Sequence, residues 1–269
     1  MKDIQSSRDD RQIPIEKVGV KDIRYPIKVL DRREQFQSTV ARVSMYVDLP
    51  HQFKGTHMSR FVEILNEHHG EITLRNIDTI LETMLERLDS ETAHVEVRFP
   101  YFLTKAAPVS GAESLMDYDC GFLASHRRGN GSPDTVLEVN IPVTSLCPCS
   151  KEISNVGAHN QRSLVTVQIR YSDFVWIEEI IELAETVASS GVYSLLKRED
   201  EKHVTEHAYA NPVFVEDLVR GVAVRLRDDE RLTWYRVESE NFESIHNHSA
   251  YASVEQSISQ GDEKREDKG

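Results

Sequence analysis

The chain repeats one order of hydrophobic patterns. Two extended segments, two helical stripes and two more extended segments fill residues 24–125, and the same order returns in 135–258. Period-two alternation marks a half-buried strand, and apolar residues at i, i+3, i+4, i+7 mark a helix with one buried face. In the first half, 24–30 predicts a short extended piece, and 39–49 a strand with Val43, Met45, Val47 and Leu49 on one face. Phe61, Ile64, Leu65 and His68 make the first helical stripe. Ile77, Ile80, Leu81, Met84, Leu85 and Leu88 make the second, with Asn76 as its N-cap. Strands at 92–101 and 116–125 close the half. In the second half, strands are expected at 135–143 and 162–171, and a helix at 176–189. A second helix is expected to start at Asn211-Pro212, cap then first-turn proline, with Val215, Leu218, Val219, Val222 and Leu226 inward. Strands at 232–239 and 250–258 follow.

This order predicts an α+β fold of two tandem β-β-α-α-β-β modules, antiparallel sheets with paired helices on one face. The open sheet edges predict oligomerisation, edge to edge. The expected division is an N-terminal arm 1–23, a first module 24–130, a second module 131–258 and a disordered tail 259–269. The last nine residues, GDEKREDKG, hold seven charges and no apolar side chain, so nothing there offsets the entropy of ordering.

Composition narrows the function. At 269 residues and 39% apolar, the chain is long enough to bury its own core. No apolar run approaches the roughly 20 residues of a membrane helix, and the N-terminus lacks a signal peptide's apolar segment, so no membrane role is expected. Three cysteines without a spaced framework point to a reducing cytoplasm. A net charge of −13 argues against a nucleic-acid partner. It leaves room for one phosphorylated ligand at a local basic cluster.

Residues able to carry chemistry gather in the second half. Ser145-Leu146-Cys147-Pro148-Cys149-Ser150-Lys151 and Gly157-Ala158-His159-Asn160-Gln161-Arg162 lie in one long connection, and long connections are often functional. Thiolate and imidazole suit a zinc-like ion, although ordinary loop cysteines and a strand-edge histidine fit the same letters. A four-cysteine site is excluded, whereas a catalytic site needs three protein ligands and an open position. Spacing alone does not nominate the third. Lys197 to His207 reads either as a solvated charge run between two helices or as carboxylate ligands with phosphate-facing cations. His246 and His248 share a face if extended, placed for acid–base work near neutral pH or as polar turn residues. Glu216 reads either as a helix N-terminal acid favoured by the dipole, or as a carboxylate aimed at N–H donors such as guanine N1–H and its 2-amino group.

The stretch SLCPCSKEISNVGAHNQRS, with NPVFVEDLVR and ESIHNHSAY downstream and DIQSSRDDRQIPIEKVGVKDIRYPI near the start, resembles the type IB GTP cyclohydrolases over nearly the whole chain. That resemblance implies the tunnelling fold, with subunits joined into barrels as a homotetramer and active sites at subunit interfaces. It implies a hydrolase acting on cyclic amidines. GTP and water would become 7,8-dihydroneopterin triphosphate and formate, the first step of tetrahydrofolate synthesis. It also implies that Cys147, His159 and Glu201 are metal ligands, that Glu216 anchors the purine, and that Cys149, His246 and His248 are active-site neighbours. Zinc is the first expectation for the metal, and manganese or iron also suit these ligands. Lys151, Arg162, Lys197 and Arg198 are the nearest cations for a triphosphate, with Arg127-Arg128 arriving from a neighbouring subunit. Two alternatives share these residues. One is a 7-cyano-7-deazaguanine reductase, using a nucleophilic cysteine and NADPH without a metal. The other is a purine- or pterin-binding module without turnover.

Overall fold

The computed structural model describes residues 4–5, 7–68 and 77–258. Asn76 and the tail 259–269 lie outside the described residues. The chain forms two compact units, Met1–Tyr101 with Asp119–Leu137, and Phe102–Tyr118 with Glu138–Gly269.

The first unit holds β1 (Ile15–Asp31), β2 (Gln35–Leu49), α1 (Met58–Glu67) and α2 (Ile77–Arg87). It also takes the first part of β3 (Thr92–Ala106) and the later part of β4 (Glu113–Arg127). Alternation works as expected here: Val43, Met45 and Val47 of β2 face Val97, Val95 and Ala93 of β3 in antiparallel register, all buried. Phe61, Ile64 and Leu65 of α1, with Ile77, Ile80, Leu81, Met84 and Leu85 of α2, are buried too. His68 does not extend the stripe; it is the C-cap that ends α1. β1 is far longer than the expected 24–30. Register shifts fall between Ile15 and Val18 and between Val20 and Ile23, and they erase the alternation that would have revealed it. Gly19 sits in this stretch because a Cβ there would lie 1.9 Å from Met45 O.

The second unit continues with β5 (Asp134–Leu146), which starts in the first unit, then α3 (Pro148–Ile153), β6 (Asn160–Tyr171) and α4 (Ile177–Val187). After these come β7 (Ser190–Gly191), α5 (Arg198–Ala210), α6 (Val215–Arg227), β8 (Leu232–Asn241) and β9 (Ala250–Ser257). The strands follow the order β1-β2-β3-β4-β5-β6-β8-β9, with β7 pairing β5. The β1–β2, β2–β3, β5–β7, β6–β8 and β8–β9 pairs are antiparallel. α4 packs on α6, and α6 lies against β8 and β9.

Two expectations change in this unit. The charge run from Lys197 does not simply connect two helices but is itself the helix α5, with Lys197 as its N-cap. Asn211-Pro212 does not open the next helix. Asn211 is the C-cap of α5, and α6 begins at Val215 with Phe214 as N-cap. Proline just past a helix end stops that helix, so the same dipeptide serves the opposite terminus. No helix among the described residues is long and apolar enough to cross a membrane.

Candidate active site

The cysteine loop closes on itself. Cys147 N–H donates to His159 O at 3.1 Å, which ties the two ends together. Between them, Pro148 takes the first position of α3, where its fixed φ suits a helix and no N–H is needed. Cys147 is the N-cap, and its Sγ accepts from Ser150 N at 3.3 Å. The Ser150 hydroxyl donates to Cys147 O at 3.1 Å and accepts from His159 N at 3.2 Å, so one side chain braces both residues. Gly157, at φ 76°, supplies the left-handed turn that brings the chain back. Cys147 is half-buried, and Cys149, one turn position on, is exposed.

Neighbouring elements hold this loop from behind. Leu146 N–H donates to Ser189 Oγ at 3.0 Å, and Leu146 O accepts from Val213 N at 3.0 Å. The second bond brings the approach to α6, and with it Glu216, to the segment beside Cys147. Lys151 Nζ donates to Tyr209 O at 2.5 Å and lies 4.5 Å from the centre of the Tyr209 ring, joining α3 to the end of α5. The β8–β9 connection arrives on the His159 side, where Glu243 Oε2 is 3.9 Å from His159 Nδ1. That carboxylate oxygen is buried with no hydrogen-bond partner among the described residues. In the same connection the rings of His246 and His248 stack with centroids 5.3 Å apart.

Cysteine and histidine are donors that suit a zinc-like ion, and main-chain pairing holds Cys147 beside His159. His159 Nδ1 is engaged by Gln161 Oε1 at 3.0 Å, which leaves Nε2 for ligation. Among the described residues no three His, Cys, Asp or Glu side chains are gathered for a metal. Glu201 is exposed in the first turn of α5. Tyr209, where α5 meets Lys151, is eight residues further, about 12 Å along a helix axis. Asp200 beside Glu201 is fully buried. Its carboxylate accepts from Val109 N, Ser110 N, Ser110 Oγ and Lys197 N at 2.6–2.9 Å. Burial alone would raise its pKa; these hydrogen bonds outweigh burial and hold it well below the usual carboxylate range.

The family model for type I GTP cyclohydrolase folE2 matches residues 1–252. The chain belongs to this family. It is 62% identical over 257 residues to the GTP cyclohydrolase FolE2 of Citrifermentans bemidjiense, covering 96% of this chain and 95% of that one. It is 61% identical over 255 residues to the GTP cyclohydrolase FolE2 of Syntrophus aciditrophicus, covering 95% and 99%. Among solved structures, a uricase from Bacillus fastidious aligns with a TM-score of 0.58 at 10% identity, over 93% of this chain and 94% of that one. A urate oxidase from Bacillus subtilis 168 aligns with a TM-score of 0.54 at 10% identity, over 90% and 98%. At that identity the likeness shows the fold alone: the α+β arrangement expected from the repeated element order, and the tunnelling fold that the family resemblance implied.

Within this chain the expected cations differ in their surroundings. Arg162, Lys197 and Arg198 are exposed. Lys151 is engaged with Tyr209, as described. Arg128, in the first unit, donates to Leu85 O at 2.8 Å and Ser90 O at 3.2 Å at the end of α2. Neither Gln161 nor Glu243 is singled out by the sequence patterns. Gln161 carries a signal in its place two residues after His159, at the start of β6, where i and i+2 side chains turn to the same side. Glu243 carries none, because only the β8–β9 connection brings it to the ring.

Proposed function

We propose that this chain is a metal-dependent GTP cyclohydrolase, converting GTP and water to 7,8-dihydroneopterin triphosphate and formate at the head of tetrahydrofolate synthesis. The observation that carries this reading is the closed Cys147–His159 loop, in a chain about 60% identical to FolE2 proteins over nearly its whole length. Cys147, His159 and Glu201 would hold the ion, which supplies Lewis-acid activation of water when bound. Glu216 receives the N1–H and 2-amino group of guanine, and so fixes C8, at the far side of the base, in one orientation. His246 or His248 gives a proton to the ring nitrogen as the imidazole ring opens, a step suited to imidazole at neutral pH. Cys149 shapes the pocket beside Cys147. Arg162, Lys197, Arg198, Lys151 and Arg128 are the cations proposed to face the triphosphate.

The reading extends to a homotetramer with sites completed at subunit interfaces, and to a cytoplasmic enzyme, which the three free cysteines support. The test is purified chain reconstituted separately with zinc, manganese and iron(II) and given GTP. Expected are a pterin that fluoresces after oxidation and one formate per turnover. NADPH oxidation in the presence of a 7-cyano-7-deazaguanine substrate would replace this reading with the reductase. GTP binding without formate would replace it with a binding module.

A further inference from the structure

A buried chain of polar side chains runs beneath His159. Ser163 Oγ donates to Ser145 Oγ at 3.1 Å, and Gln161 Nε2 donates to the same oxygen at 2.8 Å. Gln161 Oε1 then lies 3.0 Å from His159 Nδ1. Ser145 and Ser163 are 0% exposed, and Gln161 is 7% exposed. Polar groups this deep between β5 and β6 contribute less to packing than valine or alanine would, and are tolerated because each is bonded. The chain also has a direction. With its NH2 group on Ser145, Gln161 presents only an oxygen to the imidazole. An acceptor at that distance makes Nδ1 the protonated nitrogen, so the lone pair of the neutral ring sits on Nε2. Glu243 Oε2, at 3.9 Å, is too far to take over that bond.

We propose that Gln161 is a positioning residue for the metal centre. It holds His159 in the Nδ1–H tautomer and fixes the ring with its Nε2 lone pair available for the ion, while the bond to buried Ser145 holds the far end of the Gln161 amide in place. The inference rests on the reading of His159 as a metal ligand. An oxygen behind a ligating histidine orients it and raises its basicity, and loss of such a partner typically weakens metal affinity about 10- to 100-fold.

The experiment uses the full chain stripped of metal, with zinc measured by chelator competition and cobalt(II) by its visible spectrum. Gln161→Leu is expected to weaken zinc binding by about 10- to 100-fold. Gln161→Glu keeps an acceptor on Nδ1 and lets the Ser145 hydroxyl turn to donate. It is expected to recover most of the affinity and the wild-type cobalt spectrum. A merely structural Gln161 would lower the melting temperature of the metal-free protein in Gln161→Leu without moving zinc affinity, and that result overturns the proposal. Equal weakening in the Leu and Glu variants overturns it as well. His159→Ala separates the two readings: if it binds zinc as tightly as wild type, His159 is not a ligand and the underlying reading fails. If it loses zinc while Gln161→Leu keeps it, only the role of Gln161 fails.

Discussion

Glu216 and Asp217 are both acids in the first turn of α6, yet they do different work. Asp217 Oδ2 accepts from Phe214 N at 3.3 Å, which satisfies the helix start. Glu216 is exposed and left with only a dipole contribution, about 0.3–1 kcal/mol at a surface site. The cap bond is made by Asp217, so the proposed purine contact is a role that Glu216 is free to take. Glu216→Gln is expected to leave the melting temperature and metal content unchanged while lowering kcat/KM by about 100-fold or more, the scale of a lost charge-assisted contact. Steady-state kinetics on GTP, beside a thermal melt, check it; wild-type kinetics would return Glu216 to the surface. At this scale the sequence is informative where chemistry is rare. Cys147 and His159 stand out because two thiols and an imidazole share one connection. Gln161 is marked only by its place two residues from His159, and Glu243 not at all, because only the β8–β9 connection brings it to the ring.

At the scale of elements, legibility follows the apolar face. β2, α2, α4 and α6 each bury a periodic set of side chains, and the sequence displays them. α5 buries only Asp200 and Ala208, so no stripe betrays it. What holds its first turn is the Asp200 carboxylate, tied to Val109, Ser110 and Lys197. Asp200→Asn turns one acceptor into a donor that faces donors. It is expected to destabilise the protein by about 3 kcal/mol, since each buried unsatisfied group costs about 1–3 kcal/mol. Hydrogen exchange should accelerate in peptides covering 198–206 before it does in α6. Arg231 makes a second such link, donating to Asp229 in the turn before β8, to Glu179 of α4 and to Phe174 O. The hydrogen bonds from Arg231 hold the Asp229 carboxyl below its ordinary value of 3.8. A depressed acid stabilises the fold above that ordinary value, and its contribution fades as pH falls through the native one. Arg231→Gln should therefore cost about 1–2 kcal/mol in urea unfolding between pH 5 and 8, a modest figure because the group is about a third exposed. The gap to wild type should narrow below about pH 4.

For the whole molecule, the question left by an open sheet is what its edges meet. Among the described residues β1 pairs only with β2 and β9 only with β8, so each presents there an unpaired row of backbone groups. On β9 the direction of that row can be worked out. Ile258 N donates to Thr233 O at 2.8 Å, and the β8–β9 register runs from Trp234↔Ser257 to Asn241↔Ala250 without a shift. Antiparallel pairing alternates inward and outward backbone groups along a strand. Even-numbered residues of β9 therefore turn their N–H toward β8, and odd-numbered ones turn it outward. Tyr251, Ser253 and Glu255 carry the outward N–H groups, and Tyr251 adds a 57% exposed ring. If a second copy continues the sheet here, Ser253→Pro removes one bond of that junction and none of the β8–β9 ladder. Proline is tolerated on an edge strand for the same reason. Sedimentation velocity is expected to show wild type as an assembled species, Ser253→Ala unchanged, and Ser253→Pro shifted toward the single chain. GTP turnover should fall with the assembled fraction, since the proposed sites are completed between subunits. An unchanged mass in Ser253→Pro would mean that β9 is not the joining edge, and would leave β1, with its exposed Ile15, as the strand to test.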